Sequence, residues 1–164
     1  METISAIKKR RSVRKFRDDS ISKEAILKIL DCARFAPTAR NVQPWDFIVV
    51  TDLETRKRFS SLAVNAPFIK EAPVCIVIIC QDTKYYLEDG CAATENLLLA
   101  ATDLGLSACW VAGDKKEYSQ DILNLLSVPP GHKLVSMVAL GIADAGSGNI
   151  LKKDLKQMVH WEKF

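Results

Sequence analysis

The sequence predicts a single domain in which helices and strands alternate around a β-sheet. The chain has 164 residues, close to the length of about 150 residues that is typical of one domain. With 48% hydrophobic and 26% charged residues, it has the composition of a globular protein rather than a disordered or collagen-like one. Apolar runs typical of strands also alternate along the chain with segments of helical spacing. No apolar run approaches the roughly 20 residues needed to cross a bilayer, so we expect no membrane-spanning segment.

Two helices are predicted near the start of the chain, at residues 3–9 and 22–36. In the second helix, Ser22 can accept a hydrogen bond from an unpaired backbone amide as the N-cap. Apolar residues then recur at helical spacing, and Pro37 ends the helix. The apolar stripe consists of Ile26, Ile29, Leu30 and Ala33.

Strands and helices alternate from there to residue 142. Residues 73–80 form a continuous apolar run after a proline, which is typical of a strand covered on both faces, so we expect this strand to be central in the sheet. Residues 87–104 are rich in Ala and Leu and predict a long, largely buried helix that ends at Gly105. The other predicted elements are strands at 47–50, 107–112 and 134–142 and helices at 53–62 and 119–126.

The chain is predicted to divide into a core at residues 1–143, a Gly/Ser-rich linker at 144–150 and a C-terminal arm at 151–164. The arm is amphipathic but too short to form a core, so it must pack on something else. The five cysteines are odd in number and several lie in apolar runs, which favours reduced, buried thiols. No secretory signal is visible, so we expect a cytoplasmic protein. The two histidines are far apart and no C-x-x-C occurs, so no metal site is predicted.

Positive charge is concentrated at the two ends of the chain. Residues 1–17 carry a net charge of +6, residues 18–151 carry −5 and residues 152–164 carry +2. Such basic clusters can bind nucleic acid, a membrane surface or a phosphorylated small molecule, and charge alone does not choose between them.

The first group of candidate binding residues is Arg10-Arg11-Ser12-Val13-Arg14. An arginine presents a planar fork of donors that can hold two phosphate oxygens, and a serine hydroxyl adds a neutral donor. Arg10 and Arg14 share a face in a helix, whereas Arg10, Ser12 and Arg14 share one in an extended chain. The alternative is a solvated basic face at a helix end.

The second group lies in residues 36–45, which we call the amide loop. Asn41 and Gln43 each offer a donor and an acceptor, as the edge of a heterocycle such as a pyrimidine requires. Pro37 and Pro44 restrict the loop. An ordinary connection between helix and strand, with Trp45 in the core, is the alternative.

The third group follows the predicted long helix. Gly113, at the end of a predicted strand, can let the backbone approach a flat ligand, although a plain turn also explains it. No Walker A, G-x-G-x-x-G, G-x-S-x-G or H-E-x-x-H pattern occurs, so several enzyme classes lose their main support.

Taken together, these stretches resemble the nitroreductase family of FMN-dependent oxidoreductases, and the resemblance covers nearly the whole chain. The matching pieces, in order, are Arg10-Arg11-Ser12-Val13-Arg14 with Phe16, Ala36-Pro37-Thr38-Ala39 with Asn41 and Gln43-Pro44-Trp45, Gly105-Leu106-Ser107 with Trp110, Leu140-Gly141, and Val159-His160-Trp161-Glu162-Lys163-Phe164.

The resemblance implies an α+β fold with a central mixed, mainly antiparallel sheet flanked by helices. It also implies a homodimer that exchanges C-terminal arms and binds one FMN in each of two interfacial clefts. NADH or NADPH would pass hydride to flavin N5, and a nitroaromatic, quinone or similar small acceptor would take the electrons. The cofactor carries this chemistry, so no catalytic side chain is implied.

The same resemblance implies roles for particular residues. Arg10, Ser12 and Arg14 would hold the phosphate and reach the ribityl chain and pyrimidine edge, with help from Arg11. Asn41 would bond to the isoalloxazine. The other predicted cofactor-binding residues are Pro37 and Thr38, which would lie against the flavin from the other protomer, Gln43, Trp110, Val111 and Gly113, and Lys152 or Lys153 at the phosphate.

Two alternative functions stay open at the level of the sequence. One is a flavin carrier or sensor that binds FMN without turnover. The other is a basic module that binds nucleic acid or phospholipid through residues 8–17. Only Phe16 interleaves with those charges and the rest of the domain is net acidic, so we expect neither a nucleic acid nor a membrane as the partner.

Overall fold

Four strands form one sheet in the order β1-β2-β4-β3 in the computed structural model, which describes residues 2–144, 148 and 150–164. The strands are β1 (Trp45–Val50), β2 (Val74–Gln81), β3 (Ser107–Ala112) and β4 (His132–Gly141). All three pairs of neighbouring strands are antiparallel. The prediction that the apolar run at 73–80 forms a central strand is confirmed, because β2 pairs with both β1 and β4.

Helices cover both faces of this sheet. They are α1 (Thr3–Lys9), α2 (Lys23–Ala33), α3 (Leu53–Leu62), α4 (Tyr86–Asp103) and α5 (Ser119–Leu125). Successive side chains of β2 point to opposite faces, as the pleat requires. Ile76 and Ile78 pack with α2 and α4 on one face. Cys75 and Val77 pack with α3 and α5 on the other. Because β2 is buried on both faces, neither face carries polar side chains, and its sequence is continuously apolar.

The second helix ends three residues earlier than predicted. Ser22 is its N-cap as expected, since the hydroxyl oxygen accepts from the Ala25 N–H at 3.2 Å. The last helical residue is Ala33, and the next turn tightens through the bond from Ala36 N to Ala33 O at 3.1 Å. Because Ala36 precedes a proline, the helical conformation is disfavoured there, so the chain leaves the helix before Pro37.

Residues 11–17 run as an extended segment between the end of α1 and α2. Val13 N donates to Ala108 O on β3 at 3.0 Å, and Arg17 N donates to Ile142 O just after β4 at 2.9 Å. Ser12 forms a parallel bridge with Ala108 and Phe16 an antiparallel bridge with Ala143. This segment settles the two conformations left open for Arg10–Arg14 in favour of the extended one.

The C-terminal arm, residues 151–164, is exposed to solvent. Its apolar side chains are open to solvent, including Leu151 at 96% and Trp161 at 83% exposure. Its regular structure is a single 3₁₀ turn, Leu155–Gln157. The predicted linker at 144–150 falls largely outside the described residues, so the division into core, linker and arm stays a prediction. In the described part of the chain, no helix is long and apolar enough to cross a membrane.

Candidate functional site

Two of the predicted phosphate-binding residues, Ser12 and Arg14, lie beside Cys109, a buried residue of β3. Burial raises the pKa of this thiol, while the charge of Arg14, a hydrogen bond with Ser12 and the charge of Arg10 act in the opposite direction. Ser12 bridges Ala108 of the edge strand β3, and Arg14 lines the same cavity as Cys109. Ser12 and Arg14 thus lie together at the edge of the sheet, as alternation along an extended segment allows.

Arg14 is exposed and lies at a cavity of about 210 Å³. Its guanidinium carbon is 5.7 Å from the centre of the Phe68 ring, within the distance of a cation–π contact. The remaining lining includes Asn65, Trp110, Val111, Ala112, Lys116 and Tyr118. The cavity thus combines an apolar floor with cationic and amide groups, which is the usual composition of a small-molecule site.

Arg10 and Arg11 are partly committed to partners within the chain. The Arg10 Nε lies 3.8 Å from the Glu95 carboxylate of α4. The Arg11 guanidinium donates to Lys8 O at 2.6 Å and Arg10 O at 2.8 Å. These carbonyls belong to the C-terminal end of α1, where a cation is favourable. The structure therefore gives Arg11 a helix-capping role, and its predicted help to a phosphate stays a prediction.

The amide loop is held in an unusual backbone conformation. Arg40, Asn41 and Gln43 all have positive φ values, of 56°, 56° and 51°. Non-glycine residues rarely adopt this region, and such residues cluster at functional sites. The side chains of Asn41 and Gln43 are exposed. The loop thus presents the two predicted amides outward on a constrained backbone.

Asp89 of α4 fixes the start of this loop, a role that no pattern in the sequence indicates. Its carboxylate accepts from the Thr38 hydroxyl at 2.8 Å and from Ala39 N at 3.1 Å. The Thr38 hydroxyl oxygen in turn accepts from Gln43 N at 3.1 Å. The loop does not line the cavity beside Arg14. It borders a separate cavity of about 160 Å³ with Thr83, Lys84 and Tyr85.

The remaining predicted residues divide between the cavity and other parts of the chain. Trp110 and Val111 line the cavity beside Arg14. Close packing explains why residue 113 is a glycine, since a Cβ there would lie 2.5 Å from the Leu134 Cγ and 3.0 Å from the Val135 backbone of β4. Its role beside a ligand stays a prediction. Lys152 and Lys153 lie on the exposed arm.

Among the cavity residues that the sequence did not predict, three carry an amide, an ammonium or a phenol group. Asn65 follows α3, and Lys116 and Tyr118 precede α5. Tyr118 donates its hydroxyl hydrogen to the Ala112 carbonyl at the end of β3. None of the three lies in a spaced motif, and only the folding of these loops against Arg14 brings them together. Within the described residues, no group of three His, Cys, Asp or Glu side chains could hold a metal ion.

Comparisons with known proteins support this fold. The model of the nitroreductase family matches residues 7–72 and 60–142. A candidate NADH dehydrogenase/NAD(P)H nitroreductase of Methanothermobacter thermautotrophicus is 33% identical, across 100% of this chain and 88% of its own length. A protein with the same name from Archaeoglobus fulgidus is 38% identical, across 85% of this chain and 84% of its own length.

A solved structure extends the comparison to three dimensions. The FMN-dependent nitroreductase of Clostridium difficile R20291 superposes with a TM-score of 0.90 at 32% identity, covering 98% of this chain and 99% of its own. The four-stranded antiparallel sheet with helices on both faces is thus an α+β domain of the nitroreductase type. The chain belongs to the nitroreductase family, and both the resemblance and the predicted fold class are confirmed.

Proposed function

We propose that this chain, an NAD(P)H-dependent oxidoreductase that uses FMN, transfers electrons to nitroaromatics, quinones and similar electron-poor molecules. The observation that carries the proposal is that Arg14 lines one cavity with Cys109, next to the bridge between Ser12 and Ala108 of β3. Relatives named as NAD(P)H nitroreductases and a solved FMN-dependent nitroreductase support the cofactor and the reductant. The five free cysteines fit a reducing compartment, so the proposal includes a cytoplasmic location.

The residues present fit a phosphorylated flavin. Two guanidinium groups and a hydroxyl supply donors for a phosphate that carries up to two negative charges. Within the described residues, no carboxylate lies within ion-pairing distance of Arg14, so its charge is available to a ligand. Phe68 and Val111 supply an apolar surface for a flat ring, and Asn65 lies at the same cavity with an amide that can donate and accept.

When bound, FMN supplies the redox chemistry by accepting a hydride and passing electrons on. The residues of the chain bind the cofactor, orient it and shield it from water. Arg10 and Arg14 hold negative charge at the edge of the sheet, and the hydroxyl of Ser12 adds a neutral hydrogen bond. Buried Val111 and Phe68 exclude water from one side of the cavity. No side chain of this set needs to act as a nucleophile or as a general base.

The proposal includes a homodimer in which the second protomer completes the cleft. The cavity of about 210 Å³ is smaller than the roughly 300–1,000 Å³ of typical ligand pockets. The amide loop lies outside this cavity, which fits a role for Pro37 and Thr38 at the flavin of the other protomer. The exposed apolar side chains of the arm need a partner surface. In this arrangement Lys152 or Lys153 reaches the phosphate.

The visible absorbance spectrum of the purified protein tests the proposal. We expect a yellow protein that bleaches anaerobically with NADH or NADPH and regains its colour when a quinone is added. A yellow protein that never bleaches would identify a flavin carrier instead. A colourless protein that takes up no added FMN, but binds nucleic acid, would replace the enzyme with the basic binding module.

A further inference from the structure

The carboxylate of Asp89 is buried at the start of α4. The residue is 5% exposed, and within the described chain no Lys, Arg or His forms an ion pair with it. Burying an unpaired carboxylate is costly, so it needs compensating hydrogen bonds. Its position in the first turn of α4 is favourable for negative charge. Within the described residues, its carboxylate accepts two hydrogen bonds, and both come from the amide loop, from Thr38 and Ala39.

In this chain of hydrogen bonds, the donor and the acceptor of each bond are fixed. A carboxylate can only accept, so the Thr38 hydroxyl must donate its hydrogen to Asp89. The hydroxyl oxygen is then free to accept from Gln43 N, five residues further along the chain. This bond closes the segment that contains the left-handed residues Arg40, Asn41 and Gln43. The charge on α4 thereby favours a backbone conformation that is intrinsically unfavourable.

We propose that Asp89 is a positioning residue that fixes the amide loop in the conformation that presents Asn41 and Gln43 to the flavin. The proposal rests on the function proposed above, and it assigns Asp89 no contact with the cofactor. An asparagine at this position is nearly the same size, but it turns an NH₂ group toward either the Thr38 hydroxyl or the Ala39 N–H. In the first case the Thr38 hydroxyl can no longer donate to residue 89, and in the second the Ala39 N–H has no acceptor. Either loss destabilises the left-handed conformation of the loop.

The test compares Asp89→Asn with Glu88→Gln. Glu88 is the neighbouring acid in the same helical turn and is exposed, so Glu88→Gln removes the same charge without touching the amide loop. FMN is titrated into each protein stripped of flavin, and binding is followed by the quenching of flavin fluorescence. Hydrogen exchange of peptides across residues 36–45 is measured without FMN, together with the thermal unfolding temperature.

We expect Asp89→Asn to weaken FMN binding about tenfold or more, the size of a lost charged hydrogen bond. Exchange should become faster in residues 36–45 and stay unchanged in the sheet, with Glu88→Gln matching the unsubstituted protein. Equal FMN affinity and equal loop exchange in both variants would overturn the proposal. Faster exchange throughout the chain would also overturn it, because Asp89 would then support the whole fold.

The two proposals can fail separately in this experiment. If the unsubstituted protein binds no FMN, the proposed function fails. The difference in loop exchange between Asp89→Asn and Glu88→Gln still reports whether Asp89 holds the loop, because that measurement needs no flavin.

Discussion

Arg14 and Lys15 are neighbouring exposed cations on the extended segment between α1 and α2. Successive side chains of an extended chain point to opposite sides, so the two cations face different surroundings. Arg14 lies at the cavity beside Phe68, whereas Lys15 is absent from the lining of that cavity. This pair separates a specific contact from the general effect of positive charge.

We predict that Arg14→Ala weakens FMN binding by roughly 1.5–3 kcal/mol, the scale of a hydrogen bond to a charged group. Lys15→Ala removes the same charge one residue away and should leave the dissociation constant close to that of the unsubstituted protein. Fluorescence titration of FMN measures both. An equal loss of FMN affinity in the two variants would mean that Arg14 acts only through its positive charge and not through a specific contact.

At the scale of residues, the sequence predicted the cationic group but not what surrounds it. Arg10, Ser12 and Arg14 stand close together in the chain, so one local pattern reveals them. Asn65 and Asp89 reach their positions only through the packing of distant elements, which no local spacing encodes. Gly113 shows a different limit, because the sequence marks a tight position without saying that β4 approaches it.

The start of helix α3 is stabilised by a single side chain. Asp52 is its N-cap, and its carboxylate accepts from Thr55 N at 2.8 Å and from the Thr55 hydroxyl at 2.7 Å. These two hydrogen bonds hold the pKa of Asp52 below its ordinary value. The helix begins at Leu53 and ends at Leu62, at the predicted bounds.

We predict that Asp52 makes the stability of the protein sensitive to acid. Its pKa is lower in the folded than in the unfolded chain, so its stabilisation is complete above the unfolded value. It is lost as the pH falls through the lower folded value, below about pH 4. Asp52→Asn keeps a good N-cap but cannot titrate. Denaturant unfolding at several pH values should show a shallower loss of stability in acid for the variant. Parallel curves would contradict this.

At the scale of elements, the sequence predicted every helix and strand of the core, because each has a strong apolar pattern. The 3₁₀ turns at Ala39–Asn41 and Pro67–Lys70 were not predicted. Such short turns have no apolar period of their own, and the positive φ values of the amide loop depend on the hydrogen bonds from Thr38 to Asp89 and from Gln43 to Thr38.

The whole molecule carries an arm whose apolar side chains find no cover within the described chain. Leu155, Val159 and Trp161 are all exposed. We predict that truncation after Gly148 produces monomers, because these side chains lose the partner surface on which the proposed dimer depends. Sedimentation velocity measures the change.

The control for this truncation is Lys163→Ala, which removes an exposed charged side chain from the same arm. This variant should remain dimeric at the same protein concentration. A truncated chain that is still dimeric and retains flavin would show that the arm contributes neither to assembly nor to the phosphate site.

The extended segment at 11–17 also bears on how the protein is made. Its bridges pair Ser12 with Ala108 and Phe16 with Ala143, so residues synthesised first are anchored by residues synthesised much later. A ribosome must release nearly the whole core before Arg14 can settle beside β3. Contacts of such long sequence separation form late and slow folding. We therefore expect the nascent chain to have no complete binding site for a mononucleotide, and flavin to bind only after the sheet has formed.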